Sequence, residues 1–471
     1  MKRSKPRNGW LVLFTLYFYS ICGSLNVLKV PPVFGLLMPY FNINSTTAGF
    51  ITSIASLSAL ILVFPSAQIM RKLGPYRCGL LSISLVGLGG LVGAISTSLP
   101  MLLVGRFIEG FGTSMTGVTV STLVAQYFQG PALGLPMAIW STWFPVGSAL
   151  GYIMSSNVGY AFNNWRAVWW AGVILEVIAF TLFATIVREK PSPETSRPDN
   201  GNAAKQPGFF LGIKNARVWC LGLSYTIMML GNVGFLSFAT QYFTQVLHIE
   251  SAVAGSVSSL GYWFTAIGGI AAGIVSRLRK TSSLKPQFVQ IIVCSACALA
   301  ILPFGFLLPW SVMLPYLFAL GFINGYTLAV IFATVPRIAV MPQLIGVSMS
   351  IIFFTQNMGS FFAPPLMGRL IEGGNWTNAA LPMVGILTVG LLLTVAAALL
   401  KGEGSLLDKK ARPAGAEADV KGGSDEIISG NGSSSGDSEE PGPPGSDSRP
   451  DVHPVLSAVS GDDTERSDSG E

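Results

Sequence analysis

Apolar positions in this chain do not alternate and do not form one-sided stripes. They gather into blocks of about 20 residues or more, the length a helix needs to cross a bilayer. Twelve such blocks occur, at 10–38, 46–70, 78–97, 101–127, 133–156, 165–187, 216–243, 252–276, 288–308, 312–335, 344–371 and 378–400. A membrane barrel would need short strands alternating apolar and polar residues, and none are present, so the blocks are expected to be helices. The predicted class is an all-α membrane protein with twelve transmembrane helices.

The polar connections carry the next layer of information. Lys2, Arg3, Lys5 and Arg7 precede the first block, and Arg71, Lys72 and Arg77 follow the second. Arg188, Lys190, Arg197, Lys205, Lys214 and Arg217 join the sixth block to the seventh, and Arg277, Arg279, Lys280 and Lys285 join the eighth to the ninth. The opposite loops hold little beyond Arg166 and Arg369. By the positive-inside bias both termini are expected in the cytoplasm, and a multi-pass protein of the plasma membrane is expected. The N-terminal residues 1–9 read as a cytosolic flank, because no small-residue cleavage site follows the first apolar run. Residues 188–215, with Pro191, Pro193, Pro198 and Pro207, read as a cytosolic linker. Residues 401–471 are rich in Gly, Ser, Pro and acid, and are expected to form a disordered cytosolic tail.

Composition sharpens this picture. Half of the 471 residues are hydrophobic and 11% are charged, against about 25% in soluble domains. The net charge of +6 combines a basic body (22 Lys+Arg and 7 Asp+Glu over residues 1–400) with an acidic tail. No soluble basic face suggests nucleic acid. Cys22, Cys78, Cys220, Cys294 and Cys297 lie in or beside apolar blocks and are expected to be small buried hydrophobes, Cys294-x-x-Cys297 included. With His248 and His453 the only histidines, a histidine metal site or relay is not expected. No cofactor is expected beyond a coupling ion, proton or sodium. The sequons at Asn44 and Asn375 would face outward.

The two halves of the body repeat each other. At an offset of 206, Tyr19, Asn26-Val27, Ser45, Ala48-Gly49, Ser53 and Arg71 match Tyr225, Asn232-Val233, Ser251, Ala254-Gly255, Ser259 and Arg277. At 215, Phe107-Ile108-Glu109-Gly110-Phe111 recurs as Phe322-Ile323-Asn324-Gly325-Tyr326. At 212, Gly134, Met137 and Gly147-Ser148 recur as Gly346, Met349 and Gly359-Ser360. Six helices per copy is an even number, so both copies insert with the same orientation, a parallel repeat about an axis along the membrane normal. Two bundles are predicted, at 10–187 and 216–400.

Twelve helices in two parallel halves resemble the major facilitator superfamily. The stretch Ala67-Gln68-Ile69-Met70-Arg71-Lys72-Leu73-Gly74-Pro75-Tyr76-Arg77 sits where that family has Gly-x-x-x-Asp-Arg-x-Gly-Arg-Arg, with Ala67 at the first Gly and Arg71 at the Asp. The resemblance marks Arg71, Lys72, Gly74 and Arg77, with Arg277 in the second half, as a gating loop. Arg106-Phe107-Ile108-Glu109-Gly110-Phe111-Gly112 is similar to the family's Arg-x-x-x-Gly-x-Gly in helix four, and Pro145, Gly147 and Gly151 to its fifth helix. Asn26-Val27-Leu28-Lys29, then Gly35 and Pro39, resembles cyanate-permease-like members, and a basic residue there is shared with monocarboxylate transporters. The resemblance implies transport of a small anion.

Ionisable groups inside a bilayer cost at least about 2.5 kcal/mol each at its centre, so they mark cavities or partners. Lys29, Arg106, Glu109 and Glu176 fall within the blocks, with Arg337, Arg369 and Glu372 nearer helix ends. Lys29 precedes Pro31-Pro32, which should bend the first helix. As an unpaired cation it would draw an anion to the midplane. It would otherwise snorkel outward, being about 28 Å along the helix from Trp10 at 1.5 Å per residue. Arg106 and Glu109 share one helix face and can pair, either as a purely structural pair or as a switch in which protonating Glu109 frees Arg106, a candidate substrate contact, to bind an anion. Glu176, with no basic neighbour in its own helix, is a candidate for proton coupling alongside Glu109, or a helix–helix contact. Asn26 and Asn232 could face each other across a central cavity, and Asn324, Gln356 and Asn357 complete the candidate substrate contacts.

The expected function is therefore a secondary active transporter, working as a monomer in the lipid bilayer and moving a small organic or inorganic anion by alternating access. No Gly-x-x-x-x-Gly-Lys-Ser/Thr motif points to ATP, and no nucleophile–base set points to an enzyme. A proton-coupled exporter of drugs or metabolites is the first rival. A non-transporting receptor signalling through the acidic tail is the second.

Overall fold

The computed structural model describes residues 9–63, 65–128, 130–188, 212–278, 284–339 and 344–400. The acidic tail and most of the N-terminal flank and central linker lie outside these residues. Every described regular element is helical. The first half comprises α1 (Gly9–Leu28), α2 (Phe34–Phe41), α3 (Ser45–Leu62), α4 (Pro65–Leu73), α5 (Pro75–Ala94), α6 (Leu99–Tyr127), α7 (Gly134–Ser141), α8 (Trp143–Ala161) and α9 (Trp165–Ile186). The second comprises α10 (Ala216–Gln245), α11 (Ser251–Leu278), α12 (Lys285–Ile301), α13 (Met313–Ile338), α14 (Ile345–Leu370) and α15 (Ala380–Leu399).

Each of the twelve apolar blocks coincides with a helix or a broken pair of helices. Among the described residues, ten segments are long and apolar enough to cross a membrane unaided. The other two blocks are α6 and α7–α8. Helix α6 is 29 residues long but carries Arg106, Glu109 and a run of Gly, Ser and Thr. Its polar groups are carried inside the bundle, packed against α5, α3 and α1.

The repeat seen in the sequence reappears as a repeat of packing. In the first half α1 packs on α6, α8 and α9, α6 on α3 and α5, and α5 on α9. In the second half α10 packs on α13, α14 and α15, α13 on α11 and α12, and α12 on α15. These are the same pairings with each helix replaced by its copy. Between the halves α3 meets α14 and α8 meets α11, two contacts that a twofold exchange of the halves interconverts. Glycines permit the tight crossings within each half. A Cβ on Gly89 of α5 would lie 2.6 Å from the Gly105 carbonyl oxygen and the Glu109 nitrogen of α6.

The first span differs from its predicted block in an instructive way. It runs over Gly9–Phe41, 33 residues, and is not one helix. Helix α1 stops at Leu28, Pro31–Val33 forms a turn of 3₁₀ helix, and α2 resumes at Phe34. Proline lacks the donor that would continue the helical ladder. Because the span continues for twelve residues beyond Lys29, that residue sits well inside it, and the outward-snorkelling alternative is corrected.

The cysteine expectation is corrected in part. All five thiols are free, with Cys22 and Cys78 buried, Cys220 and Cys294 half-buried and Cys297 exposed on the outer surface of α12. An apolar outer surface is itself a lipid-facing one, so a small soft side chain is tolerated there.

Candidate functional site

The break in the first span creates an electrostatic problem that α6 answers. Where α1 ends, its last carbonyl groups have lost their helical donors. Arg106, fully buried, donates from Nη1 to the Asn26 carbonyl at 2.7 Å and from Nη2 to the Val27 carbonyl at 2.6 Å. Its Nε reaches the Ile51 carbonyl of α3 at 3.3 Å. One guanidinium therefore ties α6 to the broken end of α1 and to α3, which its planar fork of donors allows.

Glu109 lies one turn further along α6, and its Oε2 pairs with Arg106 Nη1. Its Oε1 accepts from Lys29 Nζ at 2.7 Å, 80 residues away along the chain. Lys29 donates also to Asn26 Oδ1 at 2.9 Å and lies 4.8 Å from the centre of the Trp169 ring. Asn26 Nδ2 in turn donates to Glu176 Oε1 of α9 at 3.0 Å and to the Cys22 carbonyl at 3.1 Å. Glu176 Oε2 has no hydrogen-bond partner among the described residues. Lys29, Arg106, Glu109, Asn26 and Glu176 are all at most 2% exposed.

Two cations and two carboxylates thus share a dry site formed by α1, α6 and α9. Moving an ion into such a site costs several kcal/mol even after relaxation, which only close pairing offsets. The pairing corrects one expectation: Lys29 is not unpaired, so in this state it offers no free cation to an anion. It corrects a second, because the Asn26 side chain points to α9 within its own half and does not meet Asn232 across a cavity.

Glycines on α5 and α9 leave the space that the ion cluster fills. A Cβ on Gly90 would stand 3.3 Å from Glu109 Oε1, and one on Gly172 would collide with Asn26 Oδ1. Gly172→Ala is therefore expected to displace the Asn26 amide from Glu176. Thermal stability in detergent should fall, while Gly385→Ala, where an added Cβ meets nothing, should leave it unaltered; heat denaturation of the two variants distinguishes them. An overpacked interior site costs about 1–3 kcal/mol.

The second half carries no matching ion cluster among the described residues. The copies of Lys29, Arg106 and Glu109 are Phe235, Gly321 and Asn324. Phe235 packs against Phe306 and Tyr316, with ring centres 4.8 and 5.0 Å away. Asn232 donates weakly to the Leu320 carbonyl at 3.4 Å, and Asn324 Oδ1 accepts from Tyr225 at 3.5 Å. Asn357 bonds to the Phe353 carbonyl of its own helix at 2.8 Å. Gln356 is half-buried, with Oε1 unpartnered. The structure therefore brings together the first-half candidates and leaves the second-half candidates apart from them.

The gating-loop residues lie at the end of the bundle where α1 begins and α15 ends. Lys72 and Arg77 are exposed, Gly74 turns the chain with φ 78°, and Arg277 is exposed at the end of α11. The side chain of Arg71 lies outside the described residues.

Trp169 and Gly172 were not singled out by the sequence, yet a signal existed. Trp165, Trp169, Gly172, Glu176, Ala179 and Phe183 recur every three or four residues and form the buried stripe of α9. Glu176 in such a stripe faces the core.

A family model described as the Major Facilitator Superfamily matches residues 12–364. The chain is similar to a protein TsgA homolog of Buchnera aphidicola, 22% identical over 263 residues, covering 55% of this chain and 64% of that one. The match thus spans less than two thirds of that relative. The 3-(3-hydroxy-phenyl)propionate transporter of Escherichia coli is 22% identical over 362 residues, with 75% and 86% covered. In fold, a bacterial homolog of the human lysosomal transporter Spinster, crystallised inward-facing and occupied, superposes with a TM-score of 0.65. It is 14% identical, with 84% of this chain and 97% of that one covered. With the matched family model spanning both halves of the helical body, this multi-pass membrane protein belongs to the Major Facilitator Superfamily.

Proposed function

We propose that the protein is a secondary active transporter that moves a small organic anion by alternating access, coupled to protonation of the α1–α6–α9 cluster. One observation carries the coupling: a single carboxylate, Glu109, binds both Lys29 and Arg106. A proton added to Glu109 would remove the counter-charge of two buried cations at once. Charges that lose their partner in a dry site must find another or reach water, so an anion or a rearrangement of the break in the first span would follow. Glu176 supports the same reading, because its bare Oε2 is an atom to which a second proton can be added. The anion class is supported by the name of the E. coli relative, that of an arylpropionate. The family and the structural neighbour point to a transporter and not to an enzyme.

The test is uptake into proteoliposomes under an imposed proton gradient, comparing a small aryl carboxylate with a neutral sugar. Carboxylate uptake should follow the gradient. Glu109→Gln and Glu176→Gln should each weaken that dependence, and Lys29→Ala should abolish uptake. Equal uptake by wild type and Lys29→Ala would remove the anion assignment, and uptake indifferent to the gradient would remove proton coupling.

A further inference from the structure

At the face opposite the start of α1 and the end of α15, a set of polar contacts crosses the seam between the halves. Glu372, in the turn after α14, accepts from Asn44 Nδ2 at 2.8 Å and from Thr46 Oγ1 at 3.4 Å. Both donors belong to the start of α3 in the other half. Within its own half Glu372 pairs with Arg369 Nη1 at 2.6 Å. Just beneath, α3 and α14 touch backbone to backbone: Gly49 lies against Pro364-Pro365, and Gly368 against Ser45, with no room for a Cβ at either. Deeper in the seam Tyr152 donates to the Leu236 carbonyl at 2.9 Å.

The geometry of this contact is fixed from both sides. Asn44 caps α3, its Oδ1 accepting from the Thr47 nitrogen at 2.9 Å, and a capping side chain is held in one orientation. That orientation aims the amide Nδ2 across the seam. On the other side Arg369 steadies the Glu372 carboxyl and, with Asn44, holds it below the usual carboxylate range.

We infer that Glu372 is a positioning residue of the transport cycle, a latch that holds this face shut by engaging Asn44 and Thr46 of the other half. The inference rests on the alternating-access reading above. Opening that face must part α3 from α14, and this breaks the bonds to Asn44 and Thr46 while the Arg369 pair travels intact with α14. The carboxylate therefore keeps a counter-charge when the latch is undone, so the open state does not strand a bare ion. Because the side chains lie at a wet rim, where ion pairs are screened, the latch tilts an equilibrium and does not lock it.

The experiment uses the full-length chain in lipid nanodiscs, with Cys220, Cys294 and Cys297 replaced by alanine. Spin labels are attached through Phe162→Cys at the end of α8 and Leu381→Cys at the start of α15. These positions are 71% and 82% exposed and stand on opposite sides of the seam. Pulsed electron-resonance distances report the opening of that face. Glu372→Ala, and separately Asn44→Ser, which keeps a capping hydroxyl but removes the amide that reaches Glu372, are each expected to raise the ratio of the long-distance to the short-distance population about tenfold, as the loss of hydrogen bonds to a charged group implies. Glu372→Gln, which keeps an acceptor for Asn44, should have a smaller effect. Unchanged distances in both Glu372→Ala and Asn44→Ser would overturn the latch. Because the readout requires no solute, that result would leave the transport reading to its own uptake assay.

Discussion

Glu109→Ala is expected to lower the stability of the protein by about 3–5 kcal/mol, the cost of leaving a buried charge without its partner. Here one deletion strips two cations, Lys29 and Arg106, that share the carboxylate at full burial. A surface ion pair would contribute about 0–1 kcal/mol, so the contrast between these magnitudes is the test of burial. The measurement is the fraction of protein that stays monodisperse in detergent after heating. The pairing makes a further demand. In the Glu109→Ala background, Lys29→Met should restore part of the loss, because it removes an ammonium that the first change leaves without its counter-charge. The two changes should therefore deviate from additivity by about 0.5–3 kcal/mol, as contacting residues do. Purely additive effects would show that Lys29 and Glu109 do not act as a pair in the membrane.

Arg106→Lys is expected to be nearly as damaging although it keeps the charge. Arg106 satisfies the Asn26, Val27 and Ile51 carbonyls as well as Glu109. An ammonium is a compact point charge without the planar fork that spans those acceptors. Each buried acceptor left unpaired costs about 1–3 kcal/mol, and the acceptors lost belong to the broken end of α1. Hydrogen exchange should accordingly rise in the segment around residues 26–34, with transport lost and total charge unchanged. Protection equal to wild type in that segment would show that Arg106 does not hold the break.

The site was legible in unequal parts. The spacing of Arg106 and Glu109 puts them on one face of a helix, and the structure shows them paired. Pro31-Pro32 after Lys29 announces a bend, and the helix breaks there. By contrast, no local pattern tells that Lys29 meets Glu109, or that Asn26 bridges Lys29 and Glu176. Those contacts depend on the rotation and depth at which α1, α6 and α9 pack. Gly89, Gly90 and Gly172 help to set these by letting backbone and side chain come close, and the sequence shows them only as small residues in apolar runs.

The asymmetry between the halves follows the same division. A position-by-position comparison of the repeats exposes Phe235, Gly321 and Asn324 where the first half has Lys29, Arg106 and Glu109. That the second-half positions form an aromatic core, and not an empty copy of the ion site, depends on Phe306 and Tyr316 packing around Phe235.

The order of the helices, their even number in each half and the duplication were set by the sequence alone, because the length of an apolar run and the lack of water in a bilayer permit few alternatives. Which charges pair, where the first span breaks open to receive Arg106, and how Glu372 reaches across to Asn44 were decided only in the folded bundle. Periodicity specifies which face of one helix turns inward, but the partner it meets there belongs to another helix, whose register along the membrane normal is fixed by close packing and not by its own sequence.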